Sequence, residues 1–493
     1  MTKSLQVRKG TYVDSVSLMQ VSQRVSAVPG VHTALVAMAT DLNLELAAGM
    51  GFDLPERTAP NEMLVAVDAD TAESLEAALA ELDLALTATR TSTGGGFGSA
   101  PAPVTIGAAA RASDASAALI STPGEHAFSD AVDAIDAGLH TMVFSDNVPV
   151  EQEVALKEYA DRAGVLLMGP DCGTAVLGGV GLGFANVTRP GPVGIVAASG
   201  TGAQHLMALL DGAGIGISHC LGVGGRDLSE QVGARSTLRA LDLLGSDDST
   251  ELVVVVSKPP APAVADAVRA HAQTLGKPVL FGLLGQGQPD LTATARQVVD
   301  AAGGTWTAPE HWSGTVTAGR GEGALRGLFA GGTLCDEAML VAVDRVGPVH
   351  SNIPLDPSWA LEDSLASEGH TMIDFGDDRL TRGRPHPMID GSLRAERLVR
   401  EVDDPGTGVV LLDVVLGLGA AADPAAELVA PILRATSAGV PVVVSVTGTR
   451  DDPQGLRRQV AMLNDAGAWV FLSNAQAARK AVDLLSGEEK ENR

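Results

Sequence analysis

The chain has 493 residues, which is enough for three or four domains of ordinary size. Its formal net charge of −26 argues against a nucleic-acid-binding surface, which needs a basic face. Apolar residues make up 45% of the chain, but no apolar run reaches the roughly 18 residues that span a bilayer. The N-terminus lacks the apolar core of a signal peptide, and Cys172, Cys220 and Cys335 have no CxxC spacing. We therefore expect a cytoplasmic protein with no metal site, no nucleic-acid partner and no membrane partner.

The hydrophobic pattern predicts an α/β protein in which strands alternate with helices, as in parallel sheets. An N-terminal α+β unit precedes a Rossmann-like unit, whose first strand is not followed by GxGxxG, so a nicotinamide cofactor is not expected. Two further α/β units follow, and residues 284–330 between their sheets are predicted to be looser. The predicted boundaries are 1–90 (α+β), 91–103 (linker), 104–190 (Rossmann-like), 191–330 and 331–486 (the two α/β units) and 487–493 (tail). The strands predicted in the last two units are 193–198, 215–221, 252–256, 278–283, 371–375, 409–415, 441–446 and 468–472.

One short stretch, 192–204, has the sequence PVGIVAASGTGAQ and predicts a buried strand, a tight glycine turn and the start of a helix. Such a turn presents unpaired backbone N–H groups and the positive end of a helix dipole, which together attract an anion. A second stretch, 408–424, has the sequence GVVLLDVVLGLGAAADP and repeats the pattern. We expect a phosphate group between the two turns; the alternative for each is a helix cap that serves packing alone. The predicted phosphate-binding residues are Ser199, Gly200, Thr201, Gly202, Gly417 and Gly419.

Longer motifs in the chain resemble a known enzyme family. The order and spacing of AIDAGLHTMVF, GPDCGTAV, the 192–204 stretch and GVGGRDL are similar to the α subunit of succinyl-CoA synthetase. The 408–424 stretch and VPVVVSVTGTRDDP resemble the C-terminal domain of that enzyme's β subunit. The signatures MGPDCGTAV, VSKPPAP, GGRDL, GRPHPMID and VTGTRDDPQ resemble the FdrA family specifically. The resemblance implies a Rossmann-like domain of the CoA-binding type followed by two flavodoxin-like domains of the succinyl-CoA-synthetase type.

The departures from succinyl-CoA synthetase concern nucleotide handling. The GHAG motif, which carries the phosphorylated histidine in that family, does not follow KPVLFGLLGQG, and no ATP-grasp domain lies between the two halves. The family's supporting glutamate is absent near Lys258, and the glycine-rich opening of the CoA-binding domain is missing. The comparison thus implies inorganic phosphate as a co-substrate without ATP or a phosphohistidine, while CoA stays open as an alternative cofactor.

Charged residues at turns and strand ends supply the other candidates. Lys258 follows a buried strand, and Arg226 lies in GGRDL, where an ordinary turn ion pair is the alternative. The loop 373–390 gathers Asp377, Asp378, Arg382, Arg384 and His386, and arginines suit bidentate binding of carboxylate or phosphate. Cys172 is interpreted as a buried thiol. The predicted catalytic residues are Lys258, Arg226, Arg384 and His386, and the predicted substrate-binding residues are Arg450, Thr449 and Asp171.

The FdrA resemblance implies a role as one component of oxamate carbamoyltransferase. In that reaction, phosphate would attack N-carbamoyl-2-oxoglycine to give oxamate and carbamoyl phosphate, and the chain would assemble with other carbamoyltransferase subunits. Two alternatives stay open. One is an acyl-CoA synthetase or succinate–CoA ligase-like subunit, and the other is a non-catalytic scaffold that senses phosphate.

Overall fold

The computed structural model describes residues 2–9, 15–55, 58–59, 62–91, 103–319, 323–362, 366–381 and 384–486. Most of the predicted linker, Arg382 and the predicted tail lie outside the described residues. The α/β fold class predicted from the sequence is confirmed. The chain divides into two compact units. The first comprises Met1–Asp114, Ser121–Ala127 and Gly383–Pro385, and the second comprises Ala115–Ile120, Phe128–Arg382 and His386–Arg493.

The N-terminal unit contains a three-stranded antiparallel sheet in the order β1-β3-β2. Buried side chains of Leu18, Val25, Val65 and Leu82 form its core between the sheet and two of its helices. The sequence predicts strands at 31–38 and 63–67 and helices at 16–28 and 71–82, which correspond to β2, β3, α1 and α3, whereas β1 and α2 were not predicted. The elements of this unit are β1 (Thr2–Arg8), α1 (Ser15–Ser26), β2 (Val31–Met38), α2 (Asp41–Gly49), β3 (Met63–Ala69), α3 (Ala72–Thr91) and α4 (Ile106–Arg111).

A small parallel sheet, in the order β4-β5-β6, follows in the second unit. Its strands alternate with helices as the Rossmann-like pattern predicted. The elements are β4 (Ala117–Ile120), α5 (Gly124–Asp136), β5 (His140–Val143), α6 (Val150–Ala163) and β6 (Leu167–Met168).

The first α/β domain has a six-stranded sheet in the order β12-β11-β9-β10-β7-β8. The hairpin β7–β8, which the sequence grouped with the Rossmann-like unit, joins this sheet because β7 pairs antiparallel with β10. The strands are β7 (Thr174–Leu177), β8 (Val180–Gly183), β9 (Pro190–Ala198), β10 (Ile217–Gly222), β11 (Leu252–Ser257) and β12 (Val279–Leu283). The helices are α7 (Gly200–Gly212), α8 (Arg235–Ser246), α9 (Pro262–Ala272) and α10 (Leu291–Ala301).

The second α/β domain has a seven-stranded sheet in the order β13-β19-β18-β17-β14-β16-β15. The strands are β13 (His311–Trp312), β14 (Ala324–Phe329), β15 (Val349–Ser351), β16 (His370–Asp374), β17 (Thr407–Val415), β18 (Val442–Thr447) and β19 (Trp469–Phe471). The helices are α11 (Gly332–Val346), α12 (Asp378–Thr381), α13 (Ser392–Asp403), α14 (Pro424–Ser437), α15 (Leu456–Asp465) and α16 (Asn474–Ser486), with a 3₁₀ turn at Pro357–Trp359.

The region 284–330 is more ordered than the sequence predicted, because it contains α10 and β14. Strand β14 was missed since Arg326 and Gly327 interrupt its apolar run. Arg326 is nevertheless buried, because its guanidinium pairs with Glu401 at 3.0 Å. Gly327 leaves room for Met372, whose Cγ would lie 2.6 Å from an added Cβ. The strand is therefore central in the sheet, between β16 and β17.

A buried polar network joins the two α/β domains. Nε2 of His205 on α7 accepts a hydrogen bond from the backbone N–H of Asn474 at 3.2 Å. Nδ1 then carries the proton and donates to Oγ1 of Thr447 at 2.8 Å. Burial lowers the pKa of His205 to about 4, so the ring is neutral at physiological pH. Moving one domain relative to the other would break these hydrogen bonds.

Glu337 on α11 extends this network. Its carboxylate accepts from the backbone N–H of Leu291 at 2.7 Å and from the side-chain amide of Asn474 at 2.8 Å. Burial, with a smaller contribution from Asp290, raises the pKa of Glu337 to about 7. Because the folded state binds this proton more tightly than the unfolded state, Glu337 favours folding most at low pH.

We predict that the free energy of unfolding falls as pH rises from 4.5 to 7 and that Glu337→Gln reduces this fall. A raised carboxyl pKa contributes stability that is complete below the unfolded pKa and is lost as pH rises through the folded pKa, at roughly 1.4 kcal/mol per pH unit. Urea unfolding of both proteins across this pH range measures the difference. Glu396→Gln, which changes an exposed carboxylate on α13, is the control. Parallel pH profiles of the wild type and Glu337→Gln would contradict the assignment.

Candidate functional site

The first part of the site is the turn between β9 and α7. Ser199 is the N-cap of α7, and its Oγ accepts a hydrogen bond from the N–H of Gly202 at 2.9 Å. The apolar run of β9 buries the strand centrally in its sheet, so the turn lies at the carboxyl end, where ligands of such sheets bind. The side chain of Ser199 is almost fully buried.

The second part of the site is the equivalent turn between β14 and α11. Asp413 on β17 holds this turn, because its carboxylate accepts from the N–H groups of Ala330 at 2.7 Å and Gly331 at 2.9 Å. Arg394 pairs with the same carboxylate at 2.6 Å. The N-cap of α11 is Gly331, which has no side chain to cap the helix. The sequence Ala330-Gly331-Gly332-Thr333 thus repeats the geometry of the first turn in the other domain.

The two turns meet at a single hydrogen bond. Oγ of Ser199 lies 2.7 Å from Oγ1 of Thr333. The glycines around this bond leave no room for a side chain. A Cβ added to Gly202 would lie 2.3 Å from Oγ of Ser199, and one added to Gly331 would lie 2.8 Å from Oγ1 of Thr201. The N-termini of α7 and α11 therefore contact each other directly.

Both helix N-termini keep backbone donors available. Within the described part of the chain, the N–H groups of Gly200 and Thr201 on α7 donate to no protein acceptor, and neither do those of Gly332 and Thr333 on α11. Unpaired N–H groups at a helix N-terminus, together with the helix dipole, make an anion-binding position.

Lys258, which the sequence selected as a candidate, lies beside this position. A Cβ added to Gly332 would be 3.0 Å from Nζ of Lys258 and 2.5 Å from Oδ2 of Asp374. The Lys258 ammonium forms no hydrogen bond and no ion pair with any described residue. Burial lowers the pKa of Lys258, but the carboxylates of Asp336, Asp374 and Asp171 outweigh it and raise the pKa overall. The lysine is therefore a fixed positive charge.

Asp336 and Asp374 were not predicted from the sequence. Asp336 lies on the second turn of α11 and is 7% exposed, while Asp374 ends β16 and is 4% exposed. Burial raises the pKa of Asp336 to about 6 and that of Asp374 to about 7, in each case against the charge of Lys258. Asp374 could have been predicted as a site residue, because its carboxylate lies at the end of a buried parallel strand. No sequence pattern marked Asp336 as a site residue, because it lies inside a helix.

A small cavity opens beside Ser199 and Gly200. Its walls also include Asp171, which the sequence predicted to bind substrate, and Thr174, whose Oγ1 would be 3.4 Å from a Cβ on Gly200. The protein around the Asp171 carboxyl raises its pKa to about 7, and the charge of Asp378 adds to the effect. The cavity is lined by Asp171, Cys172, Gly173, Thr174, Ala197, Ser199, Gly200, Gly222, Gly224 and Gly225.

Gly417 and Gly419 do not occupy the place that the sequence predicted for them. The N–H of Gly417 already donates to Oε1 of Gln454 at 3.1 Å. Its φ of 124° requires glycine, and an added Cβ would lie 2.6 Å from the carbonyl oxygen of Ala185. Gly419, with φ of 77°, packs against Gly183. The turn that contacts Ser199 is therefore Gly331–Thr333.

The predicted arginines and Thr449 differ in what they contact. Arg226 pairs with Glu153 at 3.0 Å and donates to the carbonyl of Val148 at 2.8 Å, and its charge also opposes the rise in the pKa of Asp171. Thr449 is buried, and its Oγ1 donates to the carbonyl of Val187 at 2.6 Å. Arg450 is exposed and forms no hydrogen bond or ion pair with a described residue, but its charge helps to lower the pKa of Glu310.

The loop after β16 contributes unevenly. Nδ1 of His386 accepts from the N–H of Met388 at 3.2 Å, and its ring lies 5.6 Å from that of Phe184. Burial lowers the pKa of His386 to about 4, so the ring is neutral. Arg384 is exposed and is grouped with the N-terminal unit rather than with the unit that contains α7 and α11.

Comparison with known proteins identifies the family. Residues 328–484 match the CoA-ligase model, and residues 1–103 match the model described as AllF, heavy metal-associated domain. The uncharacterized protein YahF of Escherichia coli (strain K12) is 36% identical over 520 residues, which cover 99% of this chain and 100% of YahF. The chain belongs to the YahF family. This full-length match fits the FdrA-like family that the motifs indicated.

More distant relatives of this YahF-family chain are ligases. The α 2 subunit of the ADP-forming succinate–CoA ligase of Archaeoglobus fulgidus is 30% identical over 154 residues, 30% of this chain and 52% of that subunit. A phosphate- and ADP-bound structure of the dinucleotide-forming acetyl-coenzyme A synthetase 1 of Ca. Korarchaeum cryptofilum covers 79% of this chain and 86% of its own. Its identity of 16% and TM-score of 0.31 are too low for any further conclusion.

These matches correct the reaction class expected from the sequence. The prediction of a carbamoyltransferase is wrong, because the matching family model and the distant relatives are CoA ligases. The matches support the alternative of an acyl-CoA synthetase-like protein.

Two further class predictions can be compared with the described residues. They contain no helix that is both long and apolar enough to cross a membrane. No group of three or more His, Cys, Asp and Glu side chains suited to a metal ion is found among them. The segment 1–103 matches a family model named for a heavy metal-associated domain, but it contains no cysteine. The first cysteine of the sequence is Cys172.

Two glycines of α7 provide a matched test of the contact between the turns. We predict that Gly202→Ala destabilises the protein by roughly 1–3 kcal/mol, because the new Cβ would overlap Ser199 and press on Thr333. Gly212→Ala, at the other end of the helix, has open space around its Cβ and should be neutral or stabilise by up to about 1 kcal/mol. Thermal and urea unfolding measure both. Equal effects of the two substitutions would contradict the contact.

Proposed function

We propose that this chain is an acyl-CoA synthetase-like protein that binds a phosphate group at the N-termini of α7 and α11. The observation that carries the proposal is the contact between Ser199 and Thr333, which brings two sets of unpaired N–H groups together. The CoA-ligase match of residues 328–484, which include α11, supports the class of chemistry.

The energetics favour an anion at this position. Each helix N-terminus contributes roughly 0.3–1 kcal/mol to anion binding, or up to ~2 kcal/mol when partly buried. Lys258 adds a charge that no described residue pairs with directly. The carboxylates of Asp336 and Asp374 oppose the anion, but their raised pKa values leave them partly protonated near neutral pH. Binding is therefore expected to be modest and dependent on pH.

The step that fits these residues is the thioester-forming half of an acyl-CoA ligase reaction, in which the CoA thiol attacks an acyl phosphate and phosphate leaves. The relatives named as ADP-forming ligases use a nucleotide as well, but this sequence lacks the GHAG histidine and the ATP-grasp domain. An acyl phosphate already holds the free energy needed to form a thioester. A protein limited to this step needs only a phosphate position, an acyl position and CoA.

We predict that inorganic phosphate raises the melting temperature of the full chain in a concentration-dependent way. Lys258→Met should weaken phosphate binding about tenfold, as expected for the loss of one charge-assisted contact. Isothermal titration calorimetry measures the dissociation constants. Lys480→Met, which removes an ammonium that lies over the ring of Trp469, is the matched control. Unchanged phosphate binding in Lys258→Met would contradict the site.

The thioester-forming half of the ligase reaction has its own test. We predict that CoA also raises the melting temperature and that the chain converts acetyl phosphate and CoA, or another small acyl phosphate and CoA, into the thioester. Phosphorus NMR follows the acyl phosphate and the released phosphate. Ser199→Ala and Thr333→Val should lower turnover. Phosphate binding without a CoA-dependent shift or turnover across a panel of acyl phosphates would restrict the chain to phosphate binding and contradict the proposed step.

A further inference from the structure

Asp374 lies beside the first residue of α11. Its Oδ2 and the Nζ of Lys258 both approach the same face of Gly332, at 2.5 Å and 3.0 Å from an added Cβ. Gly332 is the first residue of α11, and its N–H is one of the available donors. An anion held by this N–H would therefore lie next to Oδ2.

The carboxylate of Asp374 is held in a fixed orientation. Its Oδ1 accepts from the N–H of Gly376 at 2.9 Å. The side chain of Asn352 accepts from the backbone N–H of Asp374 at 2.9 Å and donates to its carbonyl at 2.8 Å. Oδ2 accepts from no group in the described part of the chain, although the residue is only 4% exposed. One oxygen is thus committed to the protein and the other faces the anion position.

A fixed carboxylate beside an anion site favours the binding of oxyanions that carry a proton, because only these can donate a hydrogen bond to it. Inorganic phosphate near pH 8 is mainly HPO₄²⁻, whose P–O–H group can donate to Oδ2. Sulfate has no proton to donate, so its oxygens and Oδ2 would face each other unpaired, which costs about 1–3 kcal/mol or more.

We propose that Asp374 makes this site select inorganic phosphate, which carries a proton at pH 8, over sulfate, which carries none. The inference rests on the proposed phosphate site and adds the ligand's protonation state to it. It also gives a reason for an acidic side chain inside an anion site.

The surroundings of Asp374 decide how this selectivity depends on pH. Burial raises the pKa of Asp374 to about 7, against the charge of Lys258. Below that pH the neutral carboxylic acid can itself donate to sulfate, so selectivity should fall as pH decreases. The titratable and charged groups around Asp374 and Lys258 are Asp171 after β6, Cys335 and Asp336 on α11, Asp377 and Asp378 after β16, and His386, whose Nε2 lies near Gly376.

The experiment compares phosphate with sulfate by calorimetric titration of the full chain at pH 8 and pH 6. At pH 8 the wild type should bind phosphate about tenfold to a hundredfold more tightly than sulfate. The ratio should approach one at pH 6. Asp374→Asn offers an amide donor and should bind both anions with similar affinity at pH 8. Asp378→Asn removes an equal charge from the exposed first residue of α12 and should keep the wild-type preference.

The outcomes separate this inference from the proposed function. Equal binding of phosphate and sulfate by the wild type at pH 8, or an unchanged preference in Asp374→Asn, overturns the role of Asp374 and leaves the phosphate site standing. Binding of neither anion by the wild type overturns the phosphate site itself. If Asp374→Asn does not fold, the wild-type pH series decides, because a preference that is equal at pH 8 and pH 6 contradicts the inference.

Discussion

The contact between Ser199 and Thr333 brings the positive ends of two helices together, which is unfavourable by itself. The rest of the site offsets this cost. Asp413 accepts from the N–H groups that precede α11, and Asp374 and Asp336 add negative potential beside it. Lys258 limits the excess of negative charge. In the absence of a ligand, the protein's own carboxylates thus balance the positive potential of the helix N-termini. A bound oxyanion would take over part of this role.

The acidic residues determine how the site would respond to a ligand. In an anion site made only of lysines and arginines, affinity grows with the ligand's charge. Here the raised pKa values of Asp336 and Asp374 make protons part of binding, since each carboxyl is near half-protonation at about pH 6 or 7. The same feature explains why the strongly negative chain does not need a basic surface. Local donors and local protonation decide affinity, whereas net charge acts mainly at long range.

The sequence allowed prediction of one half of the site but not of the other. The β9–α7 turn follows a continuous apolar run and has a clear cap residue at Ser199. The β14–α11 turn was missed because Arg326 interrupts its strand, and residues distant in sequence, among them Glu401 and Asp404, make that arginine compatible with burial. Gly417 was predicted to bind phosphate because it lies in a glycine turn after a strand. Such a turn has the same sequence pattern whether it exposes N–H groups or needs glycine for a positive φ. Tertiary contacts separate these two uses, and local sequence does not record them.

The contact between the two turns gives a physical reason for having both α/β domains in one polypeptide. The two turns must meet within one hydrogen bond, and tethering makes this meeting intramolecular, at a high effective concentration. Tethering alone would leave the orientation free, so buried polar contacts fix it. His205 contacts Thr447 at 2.8 Å, and Asn186, beside the first domain, contacts Asp452 of the second at 2.7 Å. A shift of one domain would leave these buried groups unpaired at a cost of about 1–3 kcal/mol each. The packing of the domains therefore sets the register of the anion site, and substitutions far from Ser199 can change binding through this interface.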